Sequence, residues 1–318
     1  MTLPTRQLGG VSLRVTVLGF GAASIGNLYR SVTDAEAHAT VHAAWQGGVR
    51  YFDTAPHYGM GLSERRLGAA LAGYPRADYV ISTKVGRILE PNPAPTGSDL
   101  DNLFDVPDDL VRRPDYSADG VRRSLEESLG RLGLDRVDIA LVHDPDDHLD
   151  QAITEALPAL FQLRDEGVVS AVGVGMNAVA PLRRVVAEAD VDCVMVAGRW
   201  TLLDRSAEPL LADCQRRGVS ALAAAPFNSG ILASNHPSAD SFFDYTGVPA
   251  PVLARAEQLA SICAASGIDL PAAAIQFPLR HPAVTAVVAG MGSESDCWAD
   301  SALATTAIPE NVWERLAN

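Results

Sequence analysis

The chain has 318 residues and a mass of 33.6 kDa, with 39 acidic and 25 basic residues and a formal charge of −14. A sequence pI near 4.8 argues against a nucleic-acid partner or an anionic membrane, both of which call for a basic face. No apolar run approaches the roughly 18 residues of a membrane helix. The four cysteines (Cys193, Cys214, Cys263 and Cys297) lack C-x-x-C spacing and read as free thiols. With no apolar stretch at the N-terminus, a cytoplasmic location is expected. At 47% apolar composition and with no dividing linker, residues 1–318 are expected to form a single domain.

In chain order, Thr5–Arg14 with Gly9-Gly10 at its middle predicts a hairpin. Eight short buried strands follow: Val15–Phe20, Tyr51–Thr54, Tyr79–Val85, Val137–His143, Ala171–Met176, Cys193–Ala197, Ser220–Pro226 and Ala286–Met291. Helices are predicted between them. Thr33-Asp34 opens Ala35–Gln46, Ser63 caps Glu64–Ala72, and Ser117 opens Ala118–Leu132. Asp150–Glu166 and Ala207–Arg217 end at Gly167 and Gly218. Strand–helix alternation repeated eight times predicts an α/β protein, a closed parallel (β/α)8 TIM barrel behind an N-terminal β-hairpin. The Pro-, Asn- and Asp-rich stretch Arg87–Asp115 is too long for an ordinary connection and reads as a lid or binding loop.

One count directs attention to chemistry. Of the 25 basic residues 24 are Arg, and the sole lysine is Lys84. Under a compositional drift toward Arg, a retained Lys points to a compact, titratable ammonium. Lys84 ends the third predicted barrel strand, Asp53 the second and His143 the fourth, and in such barrels chemistry sits at strand C-termini. Strand alternation gives Tyr51 and Asp53 one orientation, as it does Ser82 and Lys84, and Ile139, Leu141 and His143. Tyr58 follows Asp53 in a loop short enough to return over the barrel mouth. Taken singly, Asp53 reads as a loop cap, Tyr58 as packing, His143 as a core histidine and Lys84 as a chance charge. Together they read as proton-transfer machinery, in which an ammonium held by a carboxylate stabilises a phenolate and an imidazole orients a substrate oxygen.

The segments Tyr51-Phe52-Asp53-Thr54-Ala55-Pro56-His57-Tyr58-Gly59, Ile81-Ser82-Thr83-Lys84 and Leu141-Val142-His143-Asp144 resemble the aldo-keto reductase superfamily. The likeness extends to Gly19-Phe20-Gly21-Ala22 and to Arg122–Leu129, and so spans essentially the whole chain. Val142–His148, Trp200–Asp204 and Ala225–Leu232 are similar to the bacterial sugar dehydrogenase branch, with its L-fucose, D-threo-aldose 1- and pyridoxal 4-dehydrogenases. The resemblance implies the catalytic set Asp53, Tyr58, Lys84 and His143, with Tyr58 and His143 at the substrate; Trp200 reads equally as a substrate-pocket or nicotinamide-stacking residue and as a core or rim tryptophan. It also implies a nicotinamide dinucleotide across the barrel mouth. Gly21, Ala22 and Asp53 would lie along it, Asn177 would hold its carboxamide, and the Pro226–Leu232 loop (Pro226, Phe227, Asn228, Gly230, Leu232) would cover its pyrophosphate. Gly290, Ser293 and the following helix with Asp296 and Asp300 would take its adenosine end, where a helix N-terminus suits phosphate. The family's carboxamide serine falls at Met176, its glutamine at Ala197 and its nicotinamide-stacking aromatic at Ala224. Asp296 stands where NADP-binding members place a basic residue, so the expected cofactor is NAD, with NADP possible.

The expected activity is oxidation of an aldose at its anomeric hydroxyl; pyridoxal or a general aldehyde or ketone is the alternative substrate. Rival readings are a Schiff-base aldolase using Lys84 and a non-catalytic nicotinamide-binding sensor subunit. Gly173-Val174-Gly175-Met176-Asn177-Ala178 imitates a dinucleotide fingerprint but falls at the fifth barrel unit. His38 and His42 lack the metalloprotease Glu, the Asp144–Asp150 run reads as a solvated loop, and no metal site is expected. The expected partner is a small molecule, and the sequence assigns no oligomeric state.

Overall fold

The computed structural model describes residues 2–244 and 246–317. The strands are β1 (Thr5–Gln7), β2 (Arg14–Thr16), β3 (Leu18–Gly21), β4 (Tyr51–Asp53), β5 (Val80–Val85), β6 (Arg87–Pro91), β7 (Leu110–Pro114), β8 (Ile139–His143), β9 (Ala171–Met176), β10 (Cys193–Ala197), β11 (Ser220–Ala224), β12 (Phe242–Phe243), β13 (Thr246–Gly247) and β14 (Val284–Gly290). Eight of them close a parallel barrel in the order β3-β4-β5-β8-β9-β10-β11-β14. The remaining six form three two-stranded antiparallel ribbons: β1-β2, β6-β7 and β12-β13.

Inward-facing Tyr51, Ile139, Leu141, Ala171, Cys193, Met195, Leu222, Ala286 and Val288 fill the barrel. Leu8 and Val15 of the N-terminal hairpin join that cluster and close its floor. Gly9 N–H donates to Ser220 Oγ at 2.7 Å, tying the hairpin to β11. Outside the strands, the helices bury a second shell that includes Val41, Leu67, Leu125, Leu160, Leu182 and Leu211. A third cluster joins the helices Ala250–Ala264, Leu270–Gln276 and Glu310–Ala317, three helices the sequence reading did not draw.

The boundary differences have local causes. The predicted strand Val15–Phe20 is split. Thr16 Oγ1 bonds Leu18 O at 2.8 Å, and the chain passes from hairpin partner to barrel partner at that bend. The last predicted strand residues Ala225 and Pro226 lie outside β11, because Ala225 turns the chain out of the sheet with φ of +55°. Ser63 does not cap its helix, which runs Leu62–Leu71. Its hydroxyl instead donates to Ala22 O at 2.7 Å and meets Thr54 Oγ1 at 2.8 Å, binding β3 and β4 to the helix. The helix predicted as Asp150–Glu166 contains a π turn at Ala152–Ala156, just before Pro158, whose missing N–H and ring disfavour a regular turn there. The two ends of Arg87–Asp115, read as a lid or binding loop, pair as the antiparallel ribbon β6-β7, with residues 92–109 joining them. No helix among the described residues is long and apolar enough to cross a membrane.

Candidate active site

The site starts from the ends of β4, β5 and β8. Asp53, Lys84 and His143 are buried there, with Asp53 and Lys84 3% and 2% exposed. Lys84 directs all three of its N–H groups to acceptors: Asp53 Oδ2 at 2.7 Å, Tyr58 Oη at 2.9 Å and Thr54 O at 3.0 Å. Ser82 Oγ donates to the other Asp53 oxygen at 2.7 Å and meets Tyr51 Oη at 3.1 Å. Burial works against the Lys84 ammonium, but Asp53 and Tyr58 outweigh it and hold its pKa above the ordinary value. On the outer face of β5, Thr83 Oγ1 donates to fully buried Glu64 at 2.6 Å, and Arg131 pairs with the same carboxylate at 2.6 Å. That anchor fixes the alternation that points Lys84 inward.

Tyr58 returns over the mouth on a loop made tight by one glycine contact. Gly59 sits at φ of +60°, and a Cβ there would fall 2.1 Å from Gly26 O. His143 lies across from Tyr58, ring centroids 6.1 Å apart and nearly perpendicular. Burial first, then Lys84 and Arg87, push its pKa well down, so the imidazole is neutral. Its Nδ1 is buried with no protein partner among the described residues, while Nε2 stands 3.4 Å from Asp144. Tyr116 Oη holds the end of β8 by donating to His143 O at 2.7 Å.

These groups open into a cleft of about 550 Å³. Of the residues expected along a dinucleotide, Gly21, Asp53, Asn177, Pro226, Phe227, Gly230 and Gly290 line it. Ala22 and Leu232 are fully buried behind its wall, and Asn228 borders a small recess beside it. Ser293, Asp296 and Asp300 do not line the cleft; they lie past its Gly290 end, on the turn and the helix Glu294–Leu303. Asp296 accepts from Gly292 N–H at 3.0 Å, and Ser293 Oγ caps the helix by accepting from Asp296 N–H at 3.2 Å. Trp200 is not brought to the cleft. The turn after β10 swings its ring outward onto Phe277 and His281, at centroid distances of 5.4 and 5.7 Å.

The segment between β6 and β7, within the stretch read from sequence as a lid or binding loop, lines the cleft through Asn102, Leu103 and Phe104; it pairs with the loop after β3 through Leu28 and Phe104, and Tyr29 N–H donates to Leu103 O at 2.8 Å. Several contacts of the cleft were absent from the sequence reading. Phe104 reaches Tyr58, rings 6.2 Å apart. His57 lines the cleft edge-on to His143 at 5.6 Å. Burial, then Arg112 and Arg87, push its pKa down to about 2. Only its position beside Tyr58 in the matched segment could have signalled it. Arg30, from the loop after β3, donates to Gly292 O at 2.9 Å and brings a cation to the acidic turn.

The donor set fits a nicotinamide dinucleotide. Small residues (Gly21, Gly175, Ala197, Ala224, Gly290) floor the cleft, and a Cβ added at Gly21 would stand 3.1 Å from Ala289 O. Asn177 and His143 both line the cleft, and His143 Nδ1 has no partner among the described residues. Among the described residues no cluster suits a metal.

Comparison with known proteins agrees with this geometry. The profile of the Aldo/keto reductase family matches residues 17–317. The D-threo-aldose 1-dehydrogenase of a Pseudomonas species is 47% identical, covering 96% of this chain and 94% of that protein. Pyridoxal 4-dehydrogenase of Microbacterium luteolum is 39% identical over 98% of this chain and 96% of that one. Among solved structures, an aldo-keto reductase from Bacillus halodurans in its holo form superposes with a TM-score of 0.79 at 25% identity, covering 99% and 95% of the two chains. The chain belongs to the Aldo/keto reductase family, and it is an oxidoreductase acting on CH–OH groups.

One site-flanking group titrates near neutrality. Burial, then Asp296, push the Asp300 carboxyl up to about 7. A raised carboxyl pKa costs stability as pH climbs from the unfolded value near 4 through the folded one. Asp300→Asn should therefore exceed the parent in unfolding free energy at pH 8, by on the order of 2 kcal/mol, and by much less at pH 5. Denaturant titrations at the two pH values check this; an equal gap at both would contradict it.

Proposed function

We propose that the chain oxidises the anomeric hydroxyl of a neutral aldose to the lactone, with NAD as the preferred acceptor. The observation that carries this reading is the buried Asp53–Lys84–Tyr58 chain facing His143 across the cleft. When bound, the nicotinamide supplies the site that accepts a hydride from the substrate carbon. Gly21, Asn177, Gly290 and the Pro226–Gly230 segment are the cleft residues that would hold the dinucleotide. His143, neutral and with a ring nitrogen unsatisfied, orients the reacting hydroxyl. Tyr58 takes the hydroxyl proton as the carbon–oxygen double bond forms, and returns it in the reverse direction. Lys84 stabilises the negative charge that Tyr58 carries in that step, and Asp53 holds Lys84 in register. A Lys84 held protonated in an ion pair speaks against Schiff-base chemistry, which needs the free amine.

The pocket chemistry supports an uncharged polyol. Arg87 pairs with Asp144 at 2.9 Å and Arg112 with Asp99 at 2.5 Å, so both cations over the mouth are committed to carboxylates. The similarity to a D-threo-aldose 1-dehydrogenase points the same way. The Phe104 wall beside Tyr58 also suits an aromatic alcohol of the pyridoxal type, the substrate named for the second relative. A panel of aldoses, pyridoxal and simple aldehydes, followed at the nicotinamide absorbance, separates the two readings. Tyr58→Phe should lower kcat by about 10²–10⁴-fold while leaving dinucleotide affinity within about twofold, since the ring still packs and only the proton relay is lost. Near-normal turnover by this variant would reject the mechanism.

For the cofactor, Glu294 and Asp296 at the turn oppose a 2′-phosphate, and Arg30 donates to that turn at Gly292 O. The net negative charge there favours NAD, because a carboxylate repels a phosphate and accepts from ribose hydroxyls. The ratio of kcat/KM for NAD over NADP should exceed one, and Asp296→Arg should lower it by at least about tenfold. A ratio unmoved by the substitution would remove Asp296 from cofactor selection.

A further inference from the structure

His57 is the cleft residue to which the mechanism gives no task. It precedes Tyr58 on the loop after β4, and its half-buried ring lines the cleft. The ring stands edge-on to Phe104 at 5.4 Å, to His143 at 5.6 Å and to Tyr58 at 6.0 Å. Two arginines of the β6-β7 ribbon clamp it. Arg112 donates to the His57 carbonyl through Nη2 at 2.9 Å and Nε at 3.2 Å, and Arg87 Nη1 reaches the ring at Nδ1, 3.3 Å away. A guanidinium only donates, so Nδ1 accepts and carries no proton. Burial and the two arginines keep the imidazole neutral, and its single ring proton therefore resides on Nε2. Among the described residues no group bonds Nε2, and unlike His143 Nδ1 that nitrogen is not sealed from the cleft.

Packing alone does not call for this residue. An apolar ring would fill the space among Phe104, Tyr58 and His143 without setting an imidazole against two guanidinium groups. Arg87 also fixes what stands beside the donor. The other arm of its fork holds Asp144 Oδ2 at 2.9 Å, and Asp144 lines the cleft as well. One guanidinium thus keeps a donor and an acceptor side by side at the mouth. A hydroxyl gives one hydrogen bond and takes one, and so matches the pair; an ether oxygen only accepts, and matches half of it. The ring spacings set the position. With Tyr58 and His143 on the reacting oxygen, the His57 N–H suits an oxygen one carbon removed from it.

We propose that His57 Nε2–H donates to the hydroxyl on the carbon next to the reacting one, so that His57 selects a vicinal diol over an isolated alcohol, with Arg87 as its positioning residue. The assignment rests on the oxidation reading given above and narrows its substrate class to aldoses that carry a 2-hydroxyl.

The probes are three sugars and their 2-deoxy counterparts: L-fucose, D-galactose and D-glucose. For each pair the parent should show the higher kcat/KM on the 2-hydroxy sugar, by at least about threefold. His57→Leu should narrow that ratio by about five- to tenfold, chiefly through loss on the 2-hydroxy sugar. His57→Gln, whose amide donates from about the place of Nε2, should retain most of the ratio. Equal loss on both members of a pair in His57→Leu would mean that His57 only packs, and would overturn the proposal, as would a parent ratio near one. Nitrogen NMR of the histidine-labelled parent reads the tautomer without turnover. The Nε2–H form is expected near neutrality, and an Nδ1–H or charged ring would overturn the assignment. In Arg87→Met the two neutral forms should both appear; an unchanged tautomer would remove Arg87 as the positioning residue. A parent inactive on every pair would instead defeat the aldose reading itself, and this proposal with it.

Discussion

A buried ammonium is the constraint around which the barrel mouth is arranged. Lys84 is almost wholly removed from water, and an unpaired charge there would be expelled or neutralised. It persists because three acceptors from one short segment, Asp53, Thr54 and Tyr58, converge on its three N–H groups. The same geometry that solvates the cation delivers it to the phenol. On the proposed mechanism, stability and catalysis draw on one set of contacts, and the supporting residues follow from it. Ser82 occupies the second Asp53 oxygen, and the Gly26–Gly59 contact keeps the Tyr58 loop down against β3. Thr83 and Glu64 pin the opposite face of the strand.

The second organising feature is how the cleft is roofed. The β6-β7 ribbon pairs Arg87 with Asp144 and Arg112 with Asp99, and the segment between its strands places Phe104 over Tyr58. Two neutral imidazoles, His57 and His143, then face a space whose cations are already paired. Under the proposed function such a pocket would discriminate by hydroxyl geometry and shape rather than by charge. On the other flank, Phe242 of β12 stacks on Tyr29 with ring centroids 5.8 Å apart, so the segment after β11 closes over the cleft from the opposite side.

The architecture and the four polar residues at the mouth were legible in the sequence for the same reason. Buried parallel strands leave continuous β-branched runs, and a charged or titratable residue at the end of such a run stands out against them. The single lysine sharpened that contrast. What escaped was set by tertiary packing. Trp200 sits in a segment that resembles site-forming ones, yet the turn after β10 packs it into the outer core, a choice made by Phe277 and His281 far along the chain. Phe104 reaches the cleft, and Arg30 the turn beyond its Gly290 end, from loops whose paths depend on pairing between Leu28 and Phe104, which no local pattern encodes. Ser63 carried a good capping signal, but its hydroxyl was recruited to join two strands to a helix.

In the proposed mechanism Lys84 acts on the reaction through the charge of Tyr58. The direct measurement is the pH dependence of kcat/KM for aldose oxidation in the parent and in Lys84→Met, with dinucleotide affinity recorded alongside. Without the cation the phenolate is harder to form, so the activity of Lys84→Met should be lowest near neutrality and recover as pH rises, its midpoint displaced upward by at least about one unit. A loss of equal size at every pH, with the midpoint unmoved, would show that Lys84 serves only to hold the fold and would contradict the account.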